Sequence, residues 1–159
     1  MEIIRARSIT PRTVAAAVVL LMSCLPAFAS LGGNVASIDA DRAHMRASLE
    51  VAHSGTCDIH RIQSPIGTVV KEFVSSAGRV FAVTWHGPFV PDLQQILGPS
   101  YFQQYSEALQ AREHHYGHRS LNLQLPGLVV QTGGHMRDYF GRAYIPDMVP
   151  QGVRANEIQ

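Results

Sequence analysis

The tightest constraint on the fold is the segment from residue 68 to residue 86. Thr68–Ser75 is rich in Val and Phe, Arg79–His86 is equally apolar, and only Ser76-Ala77-Gly78 separates them. A parallel pairing needs a crossover of a dozen residues or more, so a three-residue link dictates an antiparallel hairpin, with Gly78 free to take positive φ. With Ser75 opposite Arg79, Phe73 faces Phe81, Lys71 faces Val83 and Val69 faces Trp85. That face is expected against the core. His86 falls on the other face with Val80 and Ala82.

The remaining elements follow from the same period and turn signals. Thr56–Gln63 reads as a strand entering the hairpin through the Ser64-Pro65-Ile66-Gly67 turn. Upstream, Ile38, Met45, Leu49 and Ala52 recur at helical spacing. With Ser37 as cap and Asp39 and Asp41 in the first turn, they predict a helix over 38–52 that Ser54-Gly55 ends. Gly87-Pro88-Phe89-Val90-Pro91 is a rigid connector. Leu93, Ile96 and Leu97, then Tyr101, Phe102, Tyr105 and Leu109, predict helices over 91–97 and 99–113, divided by Gly98-Pro99. In Ser120–Leu125, Leu121, Leu123 and Leu125 alternate with Asn122 and Gln124, and Pro126-Gly127 stops the strand. Leu128–Thr132, a Gly133-Gly134 turn and His135–Ile145, with a bulge at Gly141, complete the order. Residues 146–159 read as a surface wrap. The expectation is an α+β domain: a mainly antiparallel sheet of about six strands with an N-terminal helix and a central helical segment, in the order α-β-β-β-α-β-β-β.

The first 29 residues stand outside that pattern. Arg5, Arg7 and Arg12 precede the uncharged 13-residue run Thr13–Leu25, and Pro26 and Ala27-Phe28-Ala29 follow it. This is the layout of a secretory signal cut after Ala29. A helix of that run reaches about 20 Å, short of a bilayer core of roughly 30 Å. Leu21-Met22-Ser23-Cys24 offers the alternative of a lipidated Cys24, although Met22 fits a lipobox poorly. The expected organisation is a signal over 1–29, a flexible leader over 30–36 and one domain over 37–159. Membrane contact is then limited to the signal or a lipidated Cys24.

Removing 29 of 159 residues leaves 130, and with three of 13 basic and one of 12 acidic residues gone, the net charge moves from +1 to −1. Nothing there suggests a nucleic-acid partner. Of the two cysteines only Cys57 remains, so no intrachain disulfide forms in the exported domain. Cys57 with His53 and His60 invites a thiol–imidazole reading, but residues 57 and 60 of one strand point to opposite faces, which favours a small buried thiol. His114, His115 and His118 form the one dense histidine cluster. At i and i+4, His114 and His118 would share a helix face and clasp Zn²⁺ or Cu²⁺. Gly117 between them favours a solvated helix end instead. No Gly-x-Ser-x-Gly elbow and no phosphate loop is present. No cofactor is implied.

Two segments combine histidine, aromatics and glycine: Trp85–Asp92 and Gly134–Tyr144. If the hairpins share a sheet, Trp85, His86, His135, Arg137 and Arg142 form a candidate contact patch. Ordinary core aromatics with solvated arginines are the plainer explanation.

These same segments carry a family likeness. Gly67–Val74, Val80–Pro88, Pro91–Gly98, Val129–Arg137 and Gly141–Pro146, together with Leu31-Gly32-Gly33 and Ala40-Asp41-Arg42, resemble exported proteobacterial proteins of the domain of unknown function 2844 family. The likeness spans nearly all of the exported part. It implies export in a Gram-negative cell and brings no activity, cofactor or catalytic residue with it. That pattern calls for neither Cys57 nor the His114/His115/His118 cluster. The resulting expectation is a non-enzymatic periplasmic binding or assembly accessory with a protein or small-ligand partner in the cell envelope. A His-based metal protein and a small periplasmic enzyme are the alternatives.

Overall fold

A computed structural model describes residues 31–111 and 120–159. Residues 1–29, expected to be a signal, and the His114/His115/His118 cluster lie outside the described residues.

Seven strands form one antiparallel sheet: β1 (Ser48–Ser54), β2 (Cys57–Gln63), β3 (Val69–Ser75), β4 (Val80–Gly87), β5 (Ser120–Leu125), β6 (Leu128–His135) and β7 (Asp138–Tyr144). Their spatial order is β1-β2-β3-β4-β7-β6-β5. Among the described residues the α-helices are α1 (Ala36–His44) before the sheet, and α2 (Leu93–Leu97) and α3 (Pro99–Gln110) between β4 and β5. The α+β class stands, with seven strands where about six were expected.

The extra strand is β1, and it corrects the helix expected over 38–52. The helix stops at His44, Arg46 takes φ 49°, and the chain turns back as a strand. Ser54 pairs with Cys57, so Ser54-Gly55-Thr56-Cys57 is a tight hairpin, with Gly55 at φ 58°. Met45 and Leu49 do pack on the core together with Ile38, which is why their spacing imitates a helix. Ser37 is not the cap: its hydroxyl donates to the carbonyl of Asn34, and Val35 holds the cap position.

Both faces of the sheet are covered. Ile38, Val70, Val83, Trp85, Leu97, Leu128 and Val130 pack beneath the helices. On the opposite face Cys57, Phe73, Phe81, Ala82 and Ile158 pack beneath the C-terminal segment. The apolar run of β4, buried at all but one position, therefore serves two cores. A bulge makes this possible. Ser75 closes the turn with Arg79 as expected, but the register slips so that Val74 opposes Val80 while Phe73 opposes Ala82. Phe81 is the extra residue: it stays on the C-terminal face beside Phe73, at 6.1 Å between ring centroids, while the residues after it change phase and put Val83 and Trp85 under the helices.

Two turn assignments near β7 also change. Gly133-Gly134 is not the hairpin turn: β6 continues to His135, which pairs with Asp138, and Arg137 takes the turn at φ 65°. Gly141 is not a bulge either. It pairs with Trp85 and Thr132 in regular register, and a Cβ there would stand 2.2 Å from the Trp85 ring. The glycine lets the indole lie flat against β7.

Candidate functional site

The C-terminal face is built in rows, because cross-strand partners lie level with one another. One polar row takes a residue from every strand: Glu50 pairs with Arg61, Arg61 with Lys71, Lys71 with Thr84, Thr84 with Arg142, Arg142 with Gln131, and Gln131 with Asn122. The row on one side is mainly apolar, running through Ile59, Phe73, Ala82, Tyr144 and Val129. The row on the other side runs Val69, His86, Phe140, Gly133.

Residues 146–159 cover the apolar row and stop at the polar one. Arg142 fixes them there: its guanidinium donates to the carbonyls of Ala155 and Ile158, while its Nε donates to Gln131 Oε1 at 2.6 Å. Gln131 in turn donates to Asn122 Oδ1 at 3.2 Å. Lys71 Nζ donates to the oxygen of Gln159 at 2.9 Å. Ile158 is fully buried in consequence.

The uncovered remainder of these rows forms a groove of about 680 Å³, within the range typical of small-ligand sites. Lys71, His86 and Arg142 line it, with no Asp or Glu among the lining residues, and Val69, Phe140 and Ile158 supply apolar surface. Phe140 lies over Gly133, where a Cβ would meet the ring at 2.7 Å, so a half-exposed aromatic shelf flanks the groove.

At the rim, His86 and His135 converge on one carboxylate. His86 Nε2 lies 2.8 Å from Asp138 Oδ1 and His135 Nε2 lies 3.3 Å from Asp138 Oδ2. Of the residues singled out in the sequence, the structure thus brings His86 and His135 together, with Arg142 on the same face along β7. Trp85 faces the helices and is buried, and Arg137 sits in the β6–β7 turn. Lys71, Thr84, Asn122, Gln131 and Phe140 were not anticipated. Their common signal is a polar or aromatic residue at the same alternation phase of each strand.

Other titratable groups lie elsewhere. Asp41 on α1 and Glu72 on β3 are buried beneath the helices, and Gln95 Nε2 donates to Asp41 Oδ1 at 2.7 Å. Burial, and then the Asp41 carboxyl beside it, pushes Glu72 up to about 9. Burial also raises Asp41, against hydrogen bonds from Glu72 and Gln95 that lower it. Glu72 is therefore the protonated member and Asp41 its acceptor. Burial lowers His60, which pairs with Glu72 across β2–β3. Cys57 and His60 belong to opposite faces, and the thiol, pushed up by burial, lies 3.7 Å from the Ser54 carbonyl. His53 instead bonds Asp58. Among the described residues, no three His, Cys, Asp or Glu side chains are placed to hold a metal ion, and no helix is long and apolar enough to cross a membrane.

A fold of this kind, an antiparallel sheet with one face under helices and a groove on the other, defines a class without defining an activity. Residues 27–158 match the family described as Protein of unknown function (DUF2844), and the chain belongs to that family. No curated protein and no solved structure matches the chain.

Proposed function

We propose that the protein is an exported, non-enzymatic binding domain of the cell envelope, and that the groove beside the C-terminal segment receives its ligand. The observation that carries this reading is the Asn122–Gln131–Arg142 relay. Three side chains from three strands are held by one another and by the C-terminal segment before any ligand arrives, which lowers the ordering cost of binding. The layout of residues 1–29 supports export.

The groove is tested with the neutral fluorescent probe N-phenyl-1-naphthylamine, added to residues 30–159. Saturable uptake is expected at one probe per chain, and Asn122→Trp, which fills the groove from the β5 side, abolishes it. No uptake, or equal uptake by the variant, overturns the groove reading. Export is tested by mass spectrometry of the envelope fraction, with an N-terminus at Ser30 expected. An uncut chain in the cytoplasm rules export out, and a lipidated N-terminal Cys24 identifies the alternative route.

A further inference from the structure

The charge of the groove and its layout identify what it takes. Resting on the groove being a binding site, we propose that its ligand is an amphipathic carboxylate, with the carboxylate held over Thr84 between Lys71 and Arg142 and the apolar body lying along Val69 and Phe140.

Thr84 is the cross-strand partner of both Lys71 and Arg142, so the two basic side chains rise from the strands on either side of it. Adjacent strands lie about 4.8 Å apart, so the two backbones stand roughly 10 Å apart, a gap that two long side chains close around one small anion. Lys71 has three N–H donors and gives one to the Gln159 oxygen. No Asp or Glu side chain is among the lining residues; the nearest side-chain carboxylate the structure places there is Asp138, at the rim on His86. Apolar surface begins at once beside this point, with Val69 in the next row and Phe140 two strands along it. The chain's own C-terminal segment shows the pattern on a small scale: buried Ile158 is followed by an oxygen on Lys71. A ligand with one acidic head and an apolar body repeats that chemistry in the space left open.

The test displaces N-phenyl-1-naphthylamine from residues 30–159 with octanoate, octanol and octylamine, all below their aggregation concentrations. Octanoate is expected to displace the probe at about one-tenth the concentration that octanol needs, as two charge-assisted contacts imply, and this advantage shrinks as salt rises. Octylamine is expected to be the weakest. Lys71→Gln keeps an N–H for the Gln159 oxygen but removes the charge, and is expected to bring octanoate and octanol close to parity. Arg137→Gln, at the β6–β7 turn, keeps the octanoate advantage. Probe uptake with octanol equal to octanoate, or an octanoate advantage that survives Lys71→Gln, overturns the carboxylate class and leaves the groove standing. Octylamine displacing best overturns it by sign. Absence of probe uptake removes the groove itself and this proposal with it.

Discussion

Replacing Glu72 by Gln tests the buried acid pair beneath α1. Glu72 is 3% exposed and Asp41 is 0% exposed, so ionising both would put two like charges in the core. The folded protein avoids this by keeping a proton on Glu72, whose value rises from 4.5 to about 9. Because the folded value is above the unfolded one, the folded state binds the extra proton between them. The associated stability is whole below about 4.5 and is lost as pH rises through about 9. Inside that window the one extra proton makes the unfolding free energy fall by roughly 1.4 kcal/mol per pH unit, so moving from pH 6 to pH 8 costs on the order of 3 kcal/mol. Urea unfolding followed by the fluorescence of Trp85, the single tryptophan, reads this directly. The wild-type midpoint is expected to fall steadily with pH over that range. In Glu72→Gln the amide still donates to Asp41 and has no proton to lose, so the midpoint should become nearly flat above pH 6. A wild type that is flat, or a variant that keeps the wild-type slope, refutes the shared-proton account. His60 works in the opposite sense at the acid end. Its folded value is lowered by burial, so stability is lost as pH falls through its ordinary value of 6.5, and His60→Gln is expected to remove that acid limb.

Gly141→Ala puts a methyl group 2.2 Å from a ring carbon of Trp85, which is itself boxed in by the helices. It should cost roughly 2–4 kcal/mol in urea unfolding and alter the near-UV circular dichroism of the single tryptophan. Ile158→Ala removes the fully buried anchor of the C-terminal segment. A loss of about 3 kcal/mol is expected, with earlier proteolysis of residues 146–159 than of the sheet. Cys57 is buried and its thiol is pushed up by burial, so iodoacetamide should label it only after denaturant unfolds the domain. Labelling at the native rate of an exposed thiol would place it at the surface.

The elements whose ends are set by local chemistry were legible. Gly98-Pro99 divides α2 from α3, Asp92 caps α2 by accepting from the Gln95 amide at 3.1 Å, and Pro126-Gly127 turns β5 into β6. What escaped depends on partners distant in the chain. β1 is exposed at six of its seven positions, so its own pattern carries no inward face; pairing with β2 makes it a strand. The Met136-Arg137 turn was hidden by a better-looking glycine pair, because Gly133 and Gly134 are needed for another reason. A side chain at 133 would strike Phe140, and one at 134 would strike the backbone of Asp138 at 2.2 Å.

The site was half legible for the same reason. His86 and Arg142 stood out by type and company, but the groove is a property of register. Had Phe81 not bulged, the alternation would have kept Trp85 on the face of Phe73 and Phe81, taking it from under the helices and setting Val83 instead of Thr84 level with Lys71. The bulge leaves Phe81 beside Phe73 on the C-terminal face and brings Thr84 to that same face, level with Lys71 and Arg142. Along the C-terminal face β4 thus presents Phe81 and Ala82 first, under the C-terminal segment, and Thr84 and His86 further on, beside the groove. A segment that covers only the apolar row leaves Lys71 and Arg142 at its border. There the same two side chains that fasten the fold face the open space beside it, and truncating either one to alanine should act on binding and on attachment of the segment together.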